Sequence, residues 1–173
     1  MPATYTLIDS NVLTTTATSV TFSAIPSTYT DLVVRISAKS DRANANDDIK
    51  MLVNGSTSSV YSSTWMLGVG SSGTGTSSNS TQTSLSLQSG STGGLEANTF
   101  SSTEIYIPNY TTTVIHPIGS IQVQEVNNTV ARIYANAGLF NSSVAITSLT
   151  LQIVTGPNFV SGSSFYLYGI SNA

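Results

Sequence analysis

Residues 31–40 read DLVVRISAKS, and their alternation decides the fold class. Leu32, Val34, Ile36 and Ala38 fall on one parity; Asp31, Val33, Arg35, Ser37 and Lys39 fall on the other. A strand turns successive side chains to opposite faces, so this spacing predicts a half-buried strand. The same period of two recurs at 12–22, 49–53, 102–107, 118–123, 130–135, 145–153 and 164–170, and more weakly at 4–8, 60–67 and 83–87. Thr, Val, Ile, Tyr and Phe fill these runs, and all suit a pleated surface. Asn54-Gly55 and Gly156-Pro157 mark turns. The stretch VARIYANAGL at 130–139 holds some helix formers, but its apolar residues alternate and do not recur at three and four. Many short strands divided by turn signals predict an all-β chain, a single-domain antiparallel β-sandwich spanning 1–173.

Composition narrows the function. Close to a third of the chain is Ser or Thr, while only 8% is charged, against about 25% in an ordinary soluble domain. Solubility therefore rests on neutral hydroxyls. The absence of cysteine excludes a disulfide framework, thiol catalysis and thiolate metal sites. Net charge is −3, and five Lys and Arg residues are too few for a nucleic-acid footprint. No apolar run approaches the ~18 residues that span a bilayer, so no membrane contact is expected. The opening MPATYTLIDSNVL has neither a basic segment nor an apolar core of a secretory signal. The expectation is synthesis in a cytoplasm, with release by a route other than secretion.

The catalytic inventory is thin. Gly68, Gly70 and Gly73 spell GxGxxG, but the loop continues as SSGTGTSSNS, where no helix can open to hold a pyrophosphate. His116, in TTVIHPIGS, is the single imidazole, and there is no GxSxG. Glu96, Glu104 and Glu125 stand apart in sequence, whereas hydrolysis by two carboxylates needs a converging pair. The run DRANANDD at 41–48 offers oxygens to a hard cation without the spacing of a calcium loop. No catalytic residue, cofactor or metal is assigned, and the chain is not expected to be an enzyme.

What remains points to contacts with other molecules. Asp31, Arg35, Lys39, Asp41, Arg42, Asp47, Asp48 and Lys50 gather most of the charge into one strand–loop–strand. Such a hairpin either repels other sheet edges or fixes register with a partner. Residues 1–11 read as an N-terminal arm. The candidate partner contacts are Pro2, Thr4 and Tyr5 in that arm, Lys39, Asp41, Arg42, Asp47 and Asp48 in the hairpin, and the lone Trp65. The tyrosines at 106, 110, 166 and 168 suit packing or a platform for a saccharide. From 68 to 94 the chain is largely Gly, Ser, Thr and Asn, broken by Leu85 and Leu87. That composition predicts one long loop, or an arm that orders against a neighbouring subunit.

Several strings together carry a resemblance: IPSTYTDLVVRISAKSDRA (25–43), VNGSTSSVYSS (53–63), NTFSSTEIYIPNYTTT (98–113), ANAGLFNSSVAITSLTL (135–151) and NFVSGSSFYLYGI (158–170). The chain resembles, over essentially its whole length, a group of small tailed-phage virion proteins, many from cyanobacterial and marine phages. EIYIPNY and SFYLYGI are the most specific of these strings, and they carry no catalytic residues. The resemblance implies a jelly-roll-like β-sandwich exposed on a virion. It implies a capsid cement or decoration protein, a homotrimer bound to the major capsid protein, or alternatively a tail-fibre or receptor-binding module contacting host glycan. The 68–94 stretch departs from the group's pattern in length.

Overall fold

The computed structural model describes residues 4–70, 73–92, 98–126, 130–155 and 157–171. The chain is all-β. Its strands are β1 (Tyr5–Val12), β2 (Ser19–Phe22), β3 (Asp31–Ser37), β4 (Asn46–Val53), β5 (Tyr61–Val69), β6 (Gly73–Gln82), β7 (Leu85–Thr92), β8 (Ser102–Ile107), β9 (His116–Val126), β10 (Val130–Phe140), β11 (Leu149–Ile153) and β12 (Ser164–Ile170). They form two antiparallel sheets packed face to face as a sandwich. The larger has eight strands in the order β1-β12-β3-β8-β9-β10-β5-β6, the smaller four in the order β2-β11-β4-β7. Each small-sheet strand is preceded and followed in sequence by a large-sheet strand. The chain therefore crosses repeatedly between layers.

The core forms where the inward parities of the two sheets meet. Leu32, Val34 and Ile36 of β3, with Phe165 and Leu167 of β12, face Ile49, Met51 and Val53 of β4 and Leu149 and Leu151 of β11. Most of these side chains are fully buried. Burial at about 25 cal/mol per Å² of apolar surface makes this layer the principal source of stability. Gly138 of β10 shows how closely the sheets approach. A Cβ there would lie 2.5 Å from Leu85 Cδ1, so only glycine lets the β7 leucine seat against β10 without displacement.

Three expectations are corrected. The 68–94 stretch is not one long loop: Gly73–Gln82 forms β6, the outer strand of the large sheet, and Leu85–Thr92 forms β7, which pairs with β4. Leu85 and Leu87 are both 0% exposed and anchor β7 in the core. Polar β6 is held by its backbone ladder to β5, and hydroxyl side chains do not oppose such pairing. Second, the proposed N-terminal arm is largely an edge strand, because Tyr5–Val12 pairs with β12. Third, the 12–22 run divides: only Ser19–Phe22 is a strand after β1 ends.

Candidate interaction face

The outward side of the large sheet is the most unusual surface of the molecule. On β9 the inward positions are Ile118, Ser120, Gln122 and Gln124, all buried. The outward positions include Ile121, 55% exposed, and Val123, 42% exposed. On β10 the buried residues Tyr134 and Asn136 alternate with outward Ile133, which is 53% exposed. Met66 of β5 is 61% exposed. The register aligns these residues: Ile121 lies opposite Ala135, which lies opposite Met66; Val123 lies opposite Ile133, which lies opposite Gly68. Polarity is thus inverted along residues 120–124 of β9, with Ser and Gln inside and Ile and Val outside, and Ile133 and Met66 extend the apolar surface. Cross-strand neighbours on one face make a continuous patch, not scattered singles.

The other half of the same face is aromatic and charged. Across β12, β3 and β8 three rows run perpendicular to the strands. The first holds Tyr168, Val33 and Tyr106, the second Tyr166, Arg35 and Glu104, and the third Ser164 and Ser37, with Ser102 lining the same groove. Val33 is only 2% exposed despite facing outward, between Tyr168 and Tyr106. Arg35 Nε donates to Glu104 Oε2 at 3.0 Å, with the two side chains 57% and 52% exposed. The guanidinium carbon lies 6.0 Å from the ring centres of both Tyr5 and Tyr168, at the outer limit of a cation–π contact. Tyr5 meets Tyr168 edge-on at 6.4 Å.

Tyr106 Oη donates to Asp31 Oδ2 at 2.8 Å, while Asn109 N–H donates to Asp31 Oδ1 at 2.8 Å. The bond to the carboxylate holds the Tyr106 phenol above the ordinary tyrosine range, and burial and the Asp31 charge add to it. Burial likewise raises Tyr61 and Tyr110. Tyr61 Oη accepts from Val53 N–H at 2.9 Å, and Tyr110 Oη donates to the Pro26 carbonyl. A raised folded pKa stabilises the fold fully below the unfolded value, about 10, and that contribution is lost as pH rises through the folded value. An alkaline ultraviolet titration should show all three of these tyrosines ionising above pH ~10, the buried Tyr61 and Tyr110 only together with loss of the native far-ultraviolet dichroism, and the 42% exposed Tyr106 without it. Ionisation of all tyrosines in a chain whose dichroism is unchanged would contradict this.

The sequence-derived contacts are dispersed. Pro2 lies outside the described residues. Thr4 is exposed beside β1, and Tyr5 stands on the aromatic half of the face. Much of the charged hairpin turns inward. Lys39 is 8% exposed and Asp47 is 0% exposed. Asp47 Oδ1 accepts from the backbone N–H of Asp48 at 2.9 Å and of Thr155 at 3.3 Å, with Arg42 Nη1 at 3.8 Å. Asp41 binds both the backbone and side-chain N–H groups of Asn158. Asp48 is half-buried, and its carbonyl accepts from Val154 N–H. These charges tie their own loops together.

Trp65 also turns inward. It is half-buried against Tyr134, at 5.7 Å and edge-on, and its indole nitrogen is buried. His116 is 0% exposed, stacked on Phe140, with Nε2 2.8 Å from the Val144 carbonyl. No three His, Asp or Glu side chains converge among the described residues.

The residues missed from sequence are Met66, Ile121, Val123 and Ile133, and the Arg35–Glu104 pairing. One signal was present. Ile118 and Ile121 are three apart, and two such residues cannot share a strand face. No protein-family model matches the chain, and no curated protein matches it significantly.

Proposed function

We propose that this chain is a structural protein of a tailed-phage virion. It acts as a capsid cement protein that lays the apolar half of its large sheet on the major capsid protein. The observation that carries the reading is the apolar outward surface of β9, β10 and β5, inverted in polarity over residues 120–124. An outward surface of Met66, Ile121, Val123 and Ile133 is costly to leave in water and is suited to burial against another protein. Interface cores are depleted in charge; the four patch residues carry none, and Glu104 and Glu125 stand at the rim. The strand order also supports a jelly-roll reading. The segment β1-β12-β3-β8 and the whole small sheet form two four-stranded layers, with β9, β10, β5 and β6 as lateral extensions. Repeated copies, grouped as homotrimers at symmetry axes of the shell, convert modest contacts into firm attachment. The aromatic and charged half of the face supports a second reading, a tail-associated module that contacts host-surface glycan.

Two measurements test the first reading. Quantitative protein counting on the virion should give hundreds of copies, and fewer than about a few dozen would refute a cement role, since multivalent attachment needs many sites. Shells of the major capsid protein should co-sediment the wild-type chain but not Met66→Lys/Ile133→Lys. Both positions are exposed, so the doubly substituted chain should keep its native dichroism. Equal co-sedimentation of the two chains would remove the patch as the docking surface.

A further inference from the structure

We infer that the groove across β12, β3 and β8 is a binding site for a neutral hexopyranose glycan; this deepens the glycan-contact reading above and rests on it, not on shell docking. The groove has a volume of about 470 Å³. Its three rows offer three kinds of recognition side by side. Tyr166 and Tyr168, 6.5 Å apart with ring planes 28° from parallel, present apolar ring surface. Next to them, Arg35 and Glu104 put a planar donor fork beside a carboxylate acceptor. Ser37, Ser102 and Ser164 add hydroxyls that both donate and accept. A pyranose ring needs this combination: an apolar C–H face for an aromatic ring, and vicinal hydroxyls for charged donors and acceptors. Binding sites of this type pair apolar walls with a few placed polar groups.

Other ligand classes fit less well. Arg35 is the lone cation lining the groove and is already paired with Glu104. The site therefore has no net charge to attract a phosphate, a sulfate or an acidic peptide. An extended peptide recognised through its backbone needs a free strand edge. Here β12 lies between β1 and β3, β3 between β12 and β8, and β8 between β3 and β9, so every backbone edge under the groove is taken. Recognition must come from side chains standing on the sheet, which suits a ligand rich in hydroxyls and without net charge.

Affinity electrophoresis of the full chain tests the inference. Native gels would carry soluble β-glucan, galactomannan or glycol chitin, and parallel gels dextran sulfate. The wild-type chain should be retarded by at least one neutral polymer. Glu104→Gln and Arg35→Lys preserve side-chain size and should weaken that retardation about 10- to 100-fold in apparent affinity, the loss of one hydrogen bond to a charged group. Tyr166→Ala should weaken it too, whereas Ile133→Lys, on the other half of the face, should not. Retardation by dextran sulfate alone would overturn the inference. So would absence of retardation by all three neutral polymers, or equal retardation of wild type, Glu104→Gln and Arg35→Lys. None of these results depends on whether the chain binds a capsid shell.

Discussion

Phe159→Ala is expected to lose about 3–5 kcal/mol of stability and to melt roughly 6–20 °C below the wild type, at 2–4 °C per kcal/mol for a chain of this size. Phe159 is 0% exposed and sits edge-on to Phe165 at 4.9 Å. Its backbone is an irregular clamp outside the named strands. It exchanges two hydrogen bonds with Ala17, of 2.8 and 3.0 Å, and bridges to Ser40 as well. Three distant segments therefore meet at the backbone of one residue. These backbone bonds fix the surroundings, so the walls cannot close on the space left by the ring, and a cavity penalty adds to the transfer loss. Differential scanning calorimetry checks this. A shift below about 3 °C would mean that the site collapses around the missing ring, because ~1 kcal/mol is all such a shift allows.

Asn54→Ala is the second large effect, about 3–5 kcal/mol, from two separable sources. Asn54 and Gly55 have φ of 51° and 65°, and Ser56 N–H donates to the Val53 carbonyl at 2.9 Å. This is a turn with both central residues left-handed, a shape that Asn and Gly tolerate. The side chain does a second job. Oδ1 accepts from the backbone N–H groups of Thr147 at 2.8 Å and Ser148 at 3.1 Å, while Nδ2 donates to the Ala145 carbonyl at 2.8 Å. Alanine strains the turn and leaves those groups unpaired. Asn54→Gly relieves only the backbone part, so it should recover about 1–2 kcal/mol relative to alanine. Denaturant unfolding of both variants checks the division; equal stabilities would show that the left-handed backbone carries no penalty here.

The fold was legible wherever one parity of a strand was apolar and the other was not. SFYLYGI and STEIYI match β12 and β8 residue for residue. β6 was not legible, because GTGTSSNSTQ places no apolar side chain on either face. Its pairing is written in the backbone, which a reading of side chains does not register. The interaction face was hidden for a different reason. Hydrophobic periodicity reports that β9 alternates, yet it assigns the apolar parity to the core. Here tertiary register places Gln122 and Gln124 inside and Ile121 and Val123 outside. The charged hairpin shows the same limit in reverse. Eight charges close in sequence suggest a solvated surface, but Asp47 is spent on backbone N–H groups that only the folded chain brings near.

The pairing of β1 with β12 also has a consequence in time. Tyr5 lies opposite Ile170 and Val12 opposite Ser164, so the first strand of the large sheet waits for the last. At 5–20 residues per second of synthesis, that interval is on the order of 10 s. Until β12 emerges, β3 has one open edge and β1 has no neighbour at all. A nascent chain in this condition displays one unpaired strand and one open sheet edge, a form open to chaperones and to mispairing with its own kind. Closure of the large sheet therefore waits for the SFYLYGI string of β12, which completes it.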